Sequence, residues 1–238
     1  MQYQGGKARI SKEMARVITE TSGGGRTLVS LFCGACSVES KCTEFSHIIL
    51  NDSHEYLIAM LKAVQEGWVP PDAVTEEQYK YIRDHKDEDK ALTGFVGFGC
   101  SFGGRFFEGY ARNRTNKNYA AVSKRSLLKD MKTLADKEYA EFICGDYRDL
   151  VLPDSCVIYA DPPYVNTKQI SRQSFDTQQF WDYARETSKR HLVFISEQTA
   201  PDDFVSIWEK DVRRTLDVNK SNNFKATEHL FVHKRYVN

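Results

Sequence analysis

Five short apolar runs punctuate the chain, and each is followed at once by glycine or polar residues: "TLVSLF" before Cys33, "HIIL" before Asn51-Asp52, "EFIC" before Gly145-Asp146, "CVIYA" before Asp161 and "HLVFIS" before Glu197. Near-continuous apolar runs of this length are what strands buried on both faces require. Between them the apolar spacing changes to that of helices. Met14, Val17 and Ile18 share one face behind a candidate cap at Ser11. Tyr56, Leu57, Met60, Leu61 and Val64 share another, behind Asp52 or Ser53 and ahead of Gly67. Leu127, Leu128, Met131 and Leu134 form a third face, and Phe180, Trp181 and Ala184, after Thr177, a fourth. Strand and helix in alternation predict an α/β fold, a doubly wound and mostly parallel sheet. The five strand ends then fall along one edge, where open α/β sheets bind ligands.

Two segments depart from the alternation. Residues 67–118 carry helix-like sequence at Tyr79 to Ile82 and Ala91 to Val96, then the stretch "GFGCSFGGRFFEGYARNRTNKNY", rich in glycine, aromatic and basic residues. They predict a mainly helical inserted domain, with residues 1–66 and 119–238 forming the domain that holds the sheet. Near the end, "RRTLDVNKSNNFKATEHLFVHK" predicts a C-terminal antiparallel hairpin on the sheet edge, turning at Ser221 to Asn223.

Composition changes this picture little. The 238 residues are 41% hydrophobic and 28% charged, as in an ordinary water-soluble domain, and no apolar run approaches a membrane span. Met1 to Ile10 contain no signal-peptide core, so a cytoplasmic location without membrane partners is expected. The net charge is zero, so bulk charge does not argue for nucleic acid. Its distribution is uneven: Arg105, Arg112, Arg114, Lys117, Lys124, Arg125, Lys129 and Lys132 cluster against only Glu108 and Asp130. Cys33 and Cys36 form a CxxC with no second pair to complete a metal set, so small packed thiols are expected and no metal.

The candidate chemistry lies at the strand ends. "LFCGACS" is a small-residue turn that lets a ligand approach the backbone, and Asp52 arrives twenty residues after Phe32, a spacing suited to a carboxylate holding the ribose of a nucleoside-type cofactor. "QYQGGK" lacks the spacing of a phosphate loop; its Lys7 is either an exposed lysine or a cation reaching towards a ligand carboxylate. In "VIYADPPYVN" a strand ends in Asp161, Pro162, Pro163 and Tyr164. Prolines have no N–H, so the carbonyls of Asp161 and Pro162 are left to accept hydrogen bonds from another donor, such as an amine.

In this order, "YQGGK", "LFCGACS", "LNDSHEYLI", "CGDYRDL", "ADPPY" and "ATEHLFV" resemble the DNA adenine-N6 methyltransferases related to the bacterial Dam enzyme, over almost the whole chain. The resemblance implies a Rossmann-like methyltransferase fold with S-adenosyl-L-methionine as cofactor, held by Tyr3, Gly6, Lys7, Phe32, Gly34, Ala35, Asp52, Asp146, Tyr147 and Asp161. In it Asp52 takes the ribose, Asp146 the adenine amine and Tyr147 packs beside that ring. An adenine flipped from double-stranded DNA would place N6 between Asp161 and the Pro162 carbonyl, with Tyr164 stacked on it. The insertion would read DNA through Arg105, Phe106, Tyr110, Arg112 and Arg114, with the turn at Asn222 facing DNA as well. The family usually carries Glu-Pro before the loop Phe and Gly at the loop's end. Here Ser30-Leu31 and Cys36 stand there, which removes one negative charge near the cofactor's methionine end.

The resemblance also implies a monomer in a bacterial or phage-infected cell, in a restriction-modification or phage setting. Asp-Pro-Pro-Tyr calls for an amine acceptor without naming the polymer that carries it. An RNA adenine or cytosine-N4 methyltransferase therefore remains an alternative, as does a DNA-binding relative with weak turnover.

Overall fold

The computed structural model describes residues 1–112, 117–163, 175–213 and 225–237. Seven strands form one sheet: β1 (Thr27–Ser30), β2 (His47–Asp52), β3 (Ala140–Cys144), β4 (Val157–Ala160), β5 (Leu192–Glu197), β6 (Phe204–Arg213) and β7 (Lys225–His233). Their order is β3-β2-β1-β4-β5-β7-β6; β1 to β5 run parallel, and β7 is antiparallel to both β5 and β6. Among the described residues six α-helices accompany it: α1 (Ser11–Ser22), α2 (Glu55–Gln65), α3 (Glu76–Asp84), α4 (Lys90–Gly99), α5 (Tyr119–Met131) and α6 (Thr177–Thr187). This is the doubly wound, mostly parallel sheet with a C-terminal antiparallel pair of strands that the sequence predicts.

The strand alternation sorts the core into two layers. Leu28, Ile48, Leu50, Val157, Tyr159 and Phe194 face one cluster with Met14 and Ile18 of α1, Leu57 and Leu61 of α2 and Leu127 of α5. Val29, Leu31, Ile49, Ile158, Val193 and Ile195 face the other, which α6 closes with Phe180, Trp181 and Ala184. Each large side chain buried in this way contributes about 1.5–3 kcal/mol. α4 packs on α2, and its Phe95, Val96 and Phe98 belong to the same cluster as Leu28 and Leu50. Gly94 permits that approach, because a Cβ there would lie 2.0 Å from the Tyr56 carbonyl oxygen.

The helix starts differ from the expected ones. Ser11 does not cap α1; it is the first helical residue and its hydroxyl donates to the Ala8 carbonyl. The cap of α2 is neither Asp52 nor Ser53 but His54, whose Nδ1 accepts from the Leu57 N–H, while Asp52 turns back to accept the His54 N–H. Gly67 does follow the end of α2, with φ +96°. The hairpin's first strand begins at Phe204, before the expected segment, and a register shift between Ser206 and Trp208 breaks the alternation that would have marked it. The expected turn at Ser221 to Asn223 lies outside the described residues. Among the described residues no helix is long and apolar enough to cross a membrane.

Candidate functional site

The carboxyl ends of β1 to β4 open onto a cavity of about 400 Å³. That is within the range of small-molecule sites. Its floor is the turn after β1. Gly34 takes φ +49°, and a Cβ there would sit 2.9 Å from the Tyr3 ring, so glycine lets the N-terminal segment lie across the turn. Cys36, at the loop's end, adopts φ +54° although it is not glycine. That conformation costs an L-residue about 1–2 kcal/mol and is the physical reason for a glycine at this place.

Asp52 ends β2 inside the cavity. Its Oδ2 accepts the Gly34 N–H at 3.0 Å and its Oδ1 the His54 N–H at 2.9 Å, so one carboxylate bridges the β1 turn and the start of α2. Burial pushes its carboxyl up, against these two donors. Asn51 beside it donates to the carbonyls of Leu31 (3.0 Å) and Gly145 (3.1 Å), tying three strand ends together. After β3, Asp146 is gripped by Arg148, with Nε 2.8 Å from Oδ1 and Nη2 2.6 Å from Oδ2, which holds its carboxyl below the usual range. Tyr147, Phe175 and Phe180 pack around Phe32, with ring centroids 5.1, 5.8 and 5.9 Å from it. Together they supply a broad aromatic surface on that side.

Asp161 ends β4 and meets Lys7 from the N-terminal segment, Nζ lying 2.8 and 3.0 Å from its two oxygens. Lys7 is buried and also lies 3.7 Å from Glu228 on β7. Burial pushes the Asp161 carboxyl up, and the Lys7 ammonium opposes that shift. Pro162 is buried and Pro163 exposed. Gly104 holds the N-terminal segment from the other side: its carbonyl accepts the Gln4 N–H, and a Cβ on it would lie 2.6 Å from the Tyr3 nitrogen. Tyr3, Gly6, Lys7, Phe32, Gly34, Ala35, Asp52, Asp146, Tyr147, Asp161, Pro162 and Pro163 thus all line one cavity. Tyr164 lies outside the described residues.

Of the nucleic-acid candidates, the described ones, Arg105, Phe106, Tyr110 and Arg112, do not line this cavity. Phe106 fits against Gly97, where a Cβ would approach its ring to 2.3 Å, and stacks on Tyr56 at 5.5 Å. The Tyr110 hydroxyl donates to the Val74 carbonyl, and its ring packs on Tyr79. Arg105 pairs with Glu108 at 3.1 Å, and Arg112 is bonded to Glu76. The exposed aromatic of this stretch is Phe102, 53% accessible. Arg114 and Asn222 lie outside the described residues.

Cys33 and Cys36 are free and buried; burial pushes the Cys33 thiol well up. Among the described residues no group of three or more His, Cys, Asp or Glu is arranged to hold a metal ion. Sequence reasoning missed Asn51, His54, Phe98, Phe175 and Glu39, all but Asn51 lining the cavity.

A family model described as D12 class N6 adenine-specific DNA methyltransferase matches residues 3–96 and 103–229. No curated protein matches the chain. Solved structures of similar fold include a candidate methyltransferase, yhhF, from Escherichia coli, at 7% identity over 94% of this chain and 86% of that one, with a TM-score of 0.39. Another is a candidate RNA methyltransferase, PH1948, from Pyrococcus horikoshii, at 9% identity over 95% and 82%, with a TM-score of 0.45. A third, SMU.472, is a candidate methyltransferase complexed with SAH, at 11% identity over 96% and 53%, with a TM-score of 0.36.

Proposed function

Because the chain belongs to the D12 class N6 adenine-specific DNA methyltransferase family, we propose that it transfers a methyl group from S-adenosylmethionine to the N6 amine of an adenine flipped out of double-stranded DNA. The observation that carries this reading is the shared cavity: a strand-end carboxylate followed by two prolines, Asp161-Pro162-Pro163, opens onto the same space as Asp52 and the Gly34 turn.

The donor set fits the cofactor. Asp52 offers acceptor lone pairs to a diol, the rings around Phe32 offer an apolar face to a purine, and the Gly34 turn leaves room for a backbone approach. Asp146 accepts twice from Arg148 through Oδ1 and once through Oδ2, which leaves Oδ2 a lone pair for a purine amine. When bound, the cofactor supplies an electrophilic methyl on a sulfonium.

The protein's part is to position the amine and shape its charge. The Asp161 carboxylate and the Pro162 carbonyl accept its two N–H groups, which draws the nitrogen lone pair out of conjugation with the ring. Positioning of this kind, with fixed acceptors in a site removed from water, accounts for most of the rate in such transfers. The N–CH3 bond would form as the sulfonium's S–CH3 bond breaks, leaving a neutral thioether, and the nitrogen would pass one proton to the Asp161 carboxylate or to water. That proton turns acidic only as the nitrogen becomes cationic, so Asp161 need not be a strong base. Lys7 holds both Asp161 oxygens and fixes where the acceptor points.

The test is labelled-methyl incorporation with duplex DNA and with RNA supplied in parallel. Label in DNA adenine supports the reading. Label confined to RNA, or to cytosine, favours a sister enzyme of the same fold, and none in either polymer favours a binding protein.

A further inference from the structure

Glu39 stands apart from the acidic groups already given a role. It lies on a 3-10 turn (Glu39–Lys41), is 2% exposed and lines the cavity. Its Oε1 accepts the Ser30 hydroxyl at 2.6 Å across nine residues. Asp161 has Lys7, but no described lysine, arginine or histidine forms an ion pair with Glu39. Burial pushes its carboxyl up to about 7, against the Ser30 hydroxyl and the N–H groups of Glu39 and Val38. A buried carboxylate of this kind either neutralises itself or awaits a cation.

Position along the sheet edge says which cation. Reading β3, β2, β1, β4, the cavity presents Asp146, then Asp52, then Glu39, backed by the buried Ser30, then Asp161 with Lys7. If the first two take the nucleoside, the third falls where the amino-acid portion of the cofactor must lie, next to the methyl-accepting end. That portion carries an ammonium.

We propose that Glu39, oriented by Ser30, accepts the α-ammonium of S-adenosylmethionine. A negative charge is thereby delivered to the end of β1 from the far side of the loop, although β1 itself ends in an uncharged serine. Glu39 is a binding residue and Ser30 a positioning residue. The inference rests on the cofactor assigned under the proposed function, and it extends that reading to a residue outside the family's strand-end pattern.

Calorimetry with S-adenosylhomocysteine and with its analogue lacking the α-amino group tests it. The wild type should bind the parent ligand about ten- to a hundredfold more tightly than the deamino analogue, the usual worth of a charge-assisted hydrogen bond. Glu39→Gln, which keeps shape and an acceptor, should lose that discrimination and bind both as weakly as the wild type binds the analogue. Ser30→Ala should lose part of it. Equal binding of the two ligands by the wild type overturns the inference without any variant, and so does a Glu39→Gln protein that discriminates as the wild type does. A wild type that binds neither ligand overturns the cofactor reading and the inference with it.

Discussion

A carboxylate stripped of water but given no cation is costly in its charged form, and Glu39 is in that position until a ligand arrives. Its folded value of about 7 lies above the ordinary 4.5, so the native state holds a proton that the unfolded chain has released. The contribution to stability is therefore complete below about pH 4.5 and is lost as pH rises towards 7. Relative to Glu39→Gln, the ligand-free wild type should lose about 3 kcal/mol over that window, from the worth of a pKa shift. Denaturant unfolding of both proteins at the two ends of the window gives the difference. Parallel pH dependences would mean that Glu39 ionises as it does in water. Asp52 differs in bridging the β1 turn and the start of α2, and on the proposed reading its removal is felt in binding. Asp52→Ala should weaken S-adenosylhomocysteine by about ten- to a hundredfold with DNA affinity little changed, and unaltered calorimetry would take Asp52 out of the site.

At the scale of elements, the site depends on where the N-terminal segment is laid down. Tyr3 to Lys7 pass between the Gly34 turn and Gly104, and the second glycine has φ +69° with backbone against its missing Cβ. Gly104→Ala should destabilise the fold by at least about 1 kcal/mol and weaken S-adenosylhomocysteine binding, since Lys7 and Tyr3 would be pushed off station. Wild-type melting and affinity would contradict the clamp. The five parallel strands and the Asp161 turn were legible because buried strands read as unbroken apolar runs and their ends change abruptly to polar. Caps and the first hairpin strand were not. Asp52 had the chemistry of a cap, but its two oxygens serve Gly34 and His54, a choice made by β1 and β2 lying side by side. "FVSIWEKDVR" hid β6 behind a bulge and the charges of an edge strand. Glu39 escaped because its partner Ser30 is adjacent only after the loop has folded back. Phe106 resembled a surface aromatic until Gly97 and Tyr56 gave it a socket.

For the whole molecule, a net charge of zero means that a DNA substrate, on the proposed reading, would be held by local clusters and not by a general field. Arg105 and Arg112 already have carboxylate partners in Glu108 and Glu76, so each would exchange one anion for a base edge or phosphate. A phosphate contact, once removed, should lower the slope of log affinity against log salt by about one. A base contact should cost about 1–3 kcal/mol at the preferred site and relax one position of it. At least one of Arg105→Ala, Arg112→Ala and Arg114→Ala is expected to relax the motif recovered from a randomised duplex library. Three variants that only lower activity uniformly would place sequence reading elsewhere. The most direct measurement is of the product itself. Duplex DNA treated with S-adenosylmethionine and either the wild type or Asp161→Ala is digested to nucleosides and its modified bases are identified. N6-methyldeoxyadenosine from the wild type and none from the variant is the predicted result. A methylated cytosine, an unmodified duplex, or undiminished methylation by Asp161→Ala would contradict it.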